Sequence, residues 1–493
     1  MTLSLTDTLS GEREPFEPSD DSVLLYVCGL TVSDDPHLGH ARLWAQADIL
    51  HRWLAHEGYD VRHVENVTDV NEKITARVGE REEWESEADV ARDYIDEVLS
   101  GMRGLNLKRA EVYPRVSEHV PEIIDLVTTL VDEGYAYESN GSVYFDVSEF
   151  PEYGKLSNQQ LAEMESQGEP EERSEKRNPA DFALWKANGV NKSAIEEHRK
   201  ADVESQDHPT GQVWDSPWGE GRPGWHIECS AMSMSHLGPH LDIHMGGQDL
   251  VFPHHENEIA QSEAATGEEF VSYWLHVGFM QAGEDKMSSS LGNFFTVSDA
   301  LREYGANVLR TFYASAEYRS QQAYTEETIA EARRRWERLE QAYETAVEYA
   351  DSVDALTKAC DTEFRDTVAA ARGGFEAAMN DDLNARKAMA ELLEVASAVN
   401  RHVDDRKQYD YRALRDAIDV LEEYGAGVFG LQFQEATDGE AEIADDLIEV
   451  VLNLREEERE TGNYERADEL RDRLEALGVE VEDSEDGPTY RFG

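Results

Sequence analysis

An α/β fold with a parallel sheet, followed by a helical bundle and a small α+β end, is predicted by three observations. The first is a strand–helix–strand unit near the start: the apolar run 23–28, the amphipathic pattern 41–54 closed by Gly58, and the alternating run 61–67. Strands joined through a helix run parallel, because a tight turn cannot connect them. The second is a change of period after about Tyr313, where 325–349, 362–379, 385–403 and 411–424 space apolar residues as bundle helices do. The third is length, since 493 residues exceed one hydrophobic core and imply roughly two to four packed units.

Other stretches fill in this plan. From about Tyr135 the pattern turns to hairpin strands around Asn140-Gly141, then to an acidic stretch, 163–176, and a polar one, 187–212, as in an inserted subdomain. Sheet-like sequence resumes near Trp225. Residues 435–442 read as an acidic linker, and 445–493 as two helices with a strand-like end at 489–492.

The charge is extreme: 45 Lys+Arg against 105 Asp+Glu gives −60. An acidic disordered protein is excluded by 40% hydrophobic residues and by acids spread over helix-like faces, as at Glu337, Glu340, Glu344 and Glu348. Self-repulsion on this scale is screened at molar salt, where the Debye length is about 3 Å, so a salt-rich cytoplasm is the expected setting. Cys28, Cys229 and Cys360 make no disulfide framework, and no signal peptide or membrane-length apolar run is visible. A cytoplasmic protein without a membrane partner is expected.

Pro36-His37-Leu38-Gly39-His40-Ala41 falls where a strand leads into a helix, a place that favours phosphate. Gly39 allows close backbone approach, and His37 and His40 can donate to shifting phosphate charge. Lys286-Met287-Ser288-Ser289-Ser290 is a polar loop with one lysine able to hold pyrophosphate. Cys28, Cys229, His254 and Glu258 offer two thiolates, an imidazole and a carboxylate, a set suited to tetrahedral zinc, with His254 and Glu258 on one face of a helix. The commoner fate of scattered cysteines is burial as free thiols. A zinc-peptidase helix starting at His255-Glu256 fails, because its second histidine would fall at Ile259.

Seven ordered segments together resemble cysteinyl-tRNA synthetases, a class I family, over nearly the whole chain. They are Cys28-Gly29-Leu30-Thr31-Val32, His37-Leu38-Gly39-His40, Asn66-Val67-Thr68-Asp69, Lys176-Arg177-Asn178-Pro179, Gly224 to Ser230, Phe252 to Glu258, and the Lys286 loop. The resemblance implies a Rossmann-type catalytic domain in two halves, 1–134 and 213–320, split by a connective insertion, 135–212. A helical bundle at 321–434 and an anticodon-binding domain at 445–493 follow.

It also implies site roles. Zinc, one per chain, is held by Cys28, Cys229, His254 and Glu258. ATP, with Mg²⁺, is held by Gly39, Gly246, Gly247, Asp249, Lys286 and Ser289, and His37, His40 and Lys286 act in catalysis. Trp225 and Thr68 shape the cysteine pocket, while Tyr464, Asp468, Arg471 and Asp483 read the anticodon. The expected activity joins L-cysteine to ATP and then to tRNA(Cys), in a monomer. Two departures stand out: Ser289 replaces the second lysine of the usual Lys-Met-Ser-Lys-Ser loop, and Ser33 replaces a usual tyrosine. The alternatives are a mycothiol-pathway cysteine ligase, which lacks an anticodon domain, and a non-catalytic tRNA-binding derivative. Neither Cys360 nor the stretch 187–212 acquires a role.

Overall fold

The computed structural model describes residues 2–20, 22–161, 164, 170–200, 211–282, 285–286 and 295–433, and in the C-terminal part 448, 451–452, 454–455, 459, 463–476, 479–484 and 487–492. The chain divides into two compact units, Met1–Leu431 and Gln432–Gly493.

The first unit opens with a short hairpin, β1 (Ser4–Thr6) and β2 (Arg13–Pro15). Then comes the expected unit: β3 (Ser22–Val27), α1 (Leu38–His56) and β4 (Asp60–Glu65). The second strand ends two residues before its alternating run does; Val67 makes only an isolated bridge to Arg115. Helices α2 (Glu72–Arg77), α3 (Glu87–Gly104) and α4 (Val120–Asp132) follow.

The insertion is an antiparallel sheet in the order β5 (Ala136–Ser139), β6 (Ser142–Phe145), β7 (Phe182–Ala187), β8 (Gly221–Pro223). Asn140 and Gly141 both take positive φ, 52° and 86°, as a two-residue hairpin turn requires. β8 lies beyond residue 212, so the insertion's sheet runs past the boundary read from sequence. The polar stretch contains a helix, α5 (Lys192–His198), which buries Ala194 and Ile195 beside Ala76 and Val190.

The chain returns through α6 (Trp225–Leu237), β9 (Leu241–Gly247), α7 (Glu256–Thr266) and β10 (Val271–Val277). The main sheet is parallel in the order β10-β9-β3-β4. Because β4 joins one side of β3 and β9 the other, the chain reverses direction across the sheet between β3 and β9. Their carboxyl ends therefore open a crevice, the usual ligand position in such sheets. Cys28 directly follows β3 there, donating its N–H to Met245 O at 2.8 Å.

The bundle helices are Glu326–Ala350, Thr362–Met379, Ala385–Asp405 and Tyr411–Val420, the last continued by a wider turn to Ala426. Arg310, buried, ties the unit together through Asp48, Leu105 O and Phe429 O. The second unit holds a helix, Tyr464–Ala476, and a hairpin, Val479–Ser484 with Gly487–Phe492, around Ile448, Leu452, Leu474, Val479 and Val481. The linker 435–442 lies outside the described residues.

Glu65, at the end of β4, has a carboxyl pushed up from 4.5 to about 8 by burial, opposed in part by a hydrogen bond from Trp44. The folded state keeps this proton where the unfolded chain has released it, so stability falls as pH rises from 4.5 towards about 8. Glu65→Gln removes that slope and raises stability at pH 8 by on the order of 4 kcal/mol. Thermal denaturation against pH checks this; a variant with the wild-type slope would refute it.

Candidate active site

A cavity of about 360 Å³ opens at the crevice between β3 and β9. Its floor carries Cys28, Cys229 and His254, which cluster with the buried Glu258. Cys28 comes from the end of β3, Cys229 from α6, His254 from a wide turn, Val251–His255, that leads into α7, and Glu258 from α7 itself. The expected helical face for His254 and Glu258 thus forms across a junction of two helical geometries. The four residues are buried, and their ligand atoms lie within 4.8 Å of one another.

The spacing fits a metal. Zinc at about 2.3 Å from sulfur and about 2.0 Å from nitrogen or oxygen sets tetrahedral donors roughly 3.3–3.8 Å apart. Cys28 Sγ is 3.6 Å from Cys229 Sγ, and His254 Nε2 is 3.4 Å from each sulfur. Glu258 Oε1 lies 3.0 Å from His254 Nε2, yet has no hydrogen-bond partner although buried. An orphaned carboxylate oxygen among two thiols and an imidazole is a strong cation site.

Neighbouring groups set the charges. Burial opposes ionisation of Glu258, but His244 and His254 hold its carboxyl low. Burial likewise opposes protonation of His254, but Cys229 and Glu258 raise it. The Cys229 thiol is pushed well up, by its contact with Cys28 and then by burial. His244 Nε2 meets Glu258 Oε2 at 2.9 Å, and His226 Nδ1 meets His254 Nδ1 at 2.9 Å, so each contact orients a residue of the cluster. A second chain runs from His255 Nδ1 to His276 Nε2, 2.8 Å, and from His276 Nδ1 to Thr8 Oγ1, 2.8 Å. Sequence reasoning gave His226, His244, His255 and His276 no role; His226 and His255 stand in matched segments, which could have signalled them, whereas His244 and His276 stand outside all seven.

The walls carry the remaining residues. Trp225 is 42% exposed and packs on His254 with ring centroids 4.5 Å apart, as a pocket wall does. Thr68 is buried, its Oγ1 accepting from Asn66 Nδ2 at 3.3 Å, and lines the cavity. His37 and His40 stack at 3.8 Å and line it too. They also cap α1: His37 Nδ1 accepts from Gly39 N–H at 3.0 Å, and His40 Nδ1 from His37 N–H at 3.3 Å. With both Nδ1 atoms accepting, each ring carries its proton on Nε2.

Each glycine has a local cause. A Cβ on Gly39 would lie 2.8 Å from the His37 ring, one on Gly246 2.6 Å from the His255 ring, and one on Gly247 2.6 Å from the Asp249 carboxylate. Gly39 is thus required by the stacked histidine as well as suited to a nucleotide. Gly247 and Asp249 line the cavity. Lys286 is placed only by its backbone, in a strand, Asp285–Lys286, paired with Met280–Ala282; Ser289 lies outside the described residues.

In the second unit, Tyr464 is 64% exposed and Arg471 is exposed on the same helix, two turns on. Asp468 shares that helix and Asp483 lies in strand Val479–Ser484, both placed by backbone only. Among the described residues no helix is long and apolar enough to cross a membrane.

Comparison with known proteins agrees. Residues 15–334 match the family model for tRNA synthetases class I (C) catalytic domain, 374–434 the DALR domain, and 444–491 the cysteinyl-tRNA ligase anticodon binding domain. The chain is 62% identical to a cysteine–tRNA ligase of Haloarcula marismortui and 60% identical to one of Halobacterium salinarum, over the full length of both partners in each case. It is 42% identical to that of Thermococcus onnurineus, covering 100% of this chain and 99% of the relative. Among solved structures, methionyl-tRNA synthetase of Mycobacterium tuberculosis with methionyl-adenylate shares the fold, with a TM-score of 0.60 at 16% identity over 83% of this chain and 90% of that one. With full-length identity of this order and a catalytic family model covering most of the first unit, the chain belongs to the cysteine–tRNA ligase family of class I tRNA synthetases.

Proposed function

We propose that the chain activates L-cysteine with ATP and transfers it to tRNA(Cys), acting as a monomer in a salt-rich cytoplasm. The observation that carries the reading is the buried cluster of Cys28, Cys229, His254 and Glu258, the first three of which line the floor of the crevice cavity. These four would hold zinc, which when bound supplies affinity for a thiolate that a serine hydroxyl cannot match.

The chain's own residues then orient and stabilise. Trp225 and Thr68 confine the amino acid above the cluster. Gly246, Gly247 and Asp249, at the end of β9, receive the adenosine, with Asp249 on the ribose hydroxyls. The cysteine carboxylate attacks the ATP α-phosphate in line, forming the mixed anhydride and releasing pyrophosphate. His37 and His40 donate their Nε2–H groups to the phosphate oxygens as negative charge shifts, and Lys286, with Ser289, holds the leaving pyrophosphate, whose charge Mg²⁺ would help neutralise when bound with ATP. A terminal ribose hydroxyl of tRNA next attacks the activated carbonyl and releases AMP. The domain divisions 1–134, 321–434 and 445–493 belong to the same proposal, with the insertion that starts at 135 carried past 212 to the end of β8 at Pro223 and the second catalytic half running from there to 320. A cysteine–amino-sugar ligase would share the activation site but has no use for an anticodon-binding match at 444–491.

Cysteine-dependent ATP–pyrophosphate exchange, followed by tRNA charging, tests the reading; absence of both sinks it. Exchange needs no anticodon, so Tyr464→Ala or Arg471→Ala leaves exchange intact and weakens charging. Loss of one stacked base costs about 1–3 kcal/mol, or roughly 5- to 150-fold in charging efficiency. Equal losses in both assays would make the two residues structural, and Asp468 and Asp483 are tested in the same way.

A further inference from the structure

We infer that Lys73 holds a phosphate oxyanion of the bound substrates at the mouth of the catalytic cavity, an inference that rests on the function proposed above. Among the described residues, Lys73 is the one lysine or arginine that lines this cavity. It stands on α2, which continues from the Thr68 segment, and Thr68, Trp225, Ser33 and Asp34 line the same space.

Its backbone is fixed. Asn71 caps the helix by accepting from the Lys73 N–H at 3.0 Å, and the following four residues, Ile74 to Arg77, are buried. Its side chain is exposed, and among the described residues it has no ion pair or hydrogen bond. The nearby acids are already engaged. Glu72 binds Arg222 at 3.1 Å; Asp34 binds Arg77 at 3.0 Å and Lys200 at 3.5 Å; Glu80 binds Arg77 at 3.4 Å.

A solvated surface lysine is the ordinary alternative, and two facts weigh against it. The chain carries 105 acids to 45 bases, so an unmatched cation beside a cavity is out of keeping with the rest of its surface. Helix energetics do not call for it either, because a cation in the first turn sits at the unfavourable end of the helix dipole. What enters the cavity is anionic: the ATP phosphates, and then the phosphodiester of the terminal tRNA nucleotide. An ammonium on a flexible stem fixed at its base is suited to either. It would also add positive charge to a site whose Lys286 loop has serine at 289.

The test uses the full chain in molar KCl, with Lys73→Met and Lys73→Arg compared with wild type in two assays: pyrophosphate exchange, and single-turnover transfer from preformed cysteinyl-adenylate to tRNA. Loss of one oxyanion donor lowers the affected step by about 100-fold. A rise in the ATP KM of exchange in Lys73→Met, with partial recovery in Lys73→Arg and unchanged Tm, supports the inference and identifies ATP as the source. A loss confined to transfer, with the same recovery, supports it and identifies the tRNA terminus. Unchanged rates in both assays, a change in the cysteine KM alone, or parallel losses with lowered Tm and no recovery in Lys73→Arg would overturn it. A wild-type chain inactive in both assays is a different result, and refutes the proposed function instead.

Discussion

Cys229→Ser is expected to fail to hold the zinc proposed for the wild-type chain and to lower cysteine activation by more than about 100-fold while the protein stays folded. Substitutions of groups that merely support metal ligands already cost roughly 10- to 100-fold, so removal of a ligand sets that as the lower bound. Folding survives because the remaining groups keep their contacts with one another. Cys28 Sγ and His254 Nε2 are 3.4 Å apart, His254 meets Glu258 at 3.0 Å, and Glu258 meets His244 at 2.9 Å. The surrounding core of Tyr26, Leu241, Ile259 and Trp274 is untouched. Chelation of wild-type protein is expected to act in the same way.

Selectivity gives the result its sharper form. Cysteine and serine differ by sulfur for oxygen, and an apolar pocket separates such near-isosteres by only about 10- to 200-fold. The metal-depleted chain is therefore expected to lose cysteine activation without gaining serine activation of comparable size. Metal content by elemental analysis, exchange with each amino acid, and Tm form the measurement. Full cysteine activity in a chain shown to be metal-free would sink the assignment of these four residues.

How much of this was legible depends on the kind of signal each part leaves. The strand–helix–strand unit and the bundle helices follow from apolar period, and the structure places them within a few residues of the sequence reading. Helix α5 left no such signal, because it is short and only Ala194 and Ile195 face the core. The four clustered ligands come from segments far apart in sequence; residue type and the family pattern named them, whereas periodicity could not.

Supporting groups were harder to see. His244, His255 and His276 are buried imidazoles, His244 held by Glu258 at 2.9 Å, His255 by His276 at 2.8 Å and His276 also by Thr8 at 2.8 Å, and a buried histidine has no sequence pattern of its own. The capping of α1 by His37 was equally hidden, since Ser, Thr, Asp and Asn are the usual caps. Lys73 leaves no signal of its own in the sequence, and only its place in the cavity wall singles it out.

The other large effect is expected from salt: stability and tRNA charging should both rise from dilute buffer towards molar KCl. With a net charge of −60, like charges crowd the whole surface. Two unit charges about 10 Å apart in water repel by about 0.4 kcal/mol when unscreened. At 1 M salt the Debye length is about 3 Å and that repulsion nearly vanishes. Each pair is weak, but the number of pairs grows with the square of the charge, so the sum competes with a net stability of only about 5–15 kcal/mol.

The tRNA encounter follows the same sign. An ordinary nucleic-acid binder weakens with salt because counterions are released, whereas here an acidic protein must approach a polyanion and gains from screening. Screening must be separated from general strengthening of apolar burial, which excluded osmolytes also produce. The measurement is therefore Tm and charging rate against KCl, beside a series in an uncharged osmolyte such as sucrose. KCl should raise both quantities, and sucrose should raise Tm without restoring the charging rate. Maximal Tm and charging in dilute buffer would show that the acidic surface is not what sets the working conditions of this enzyme.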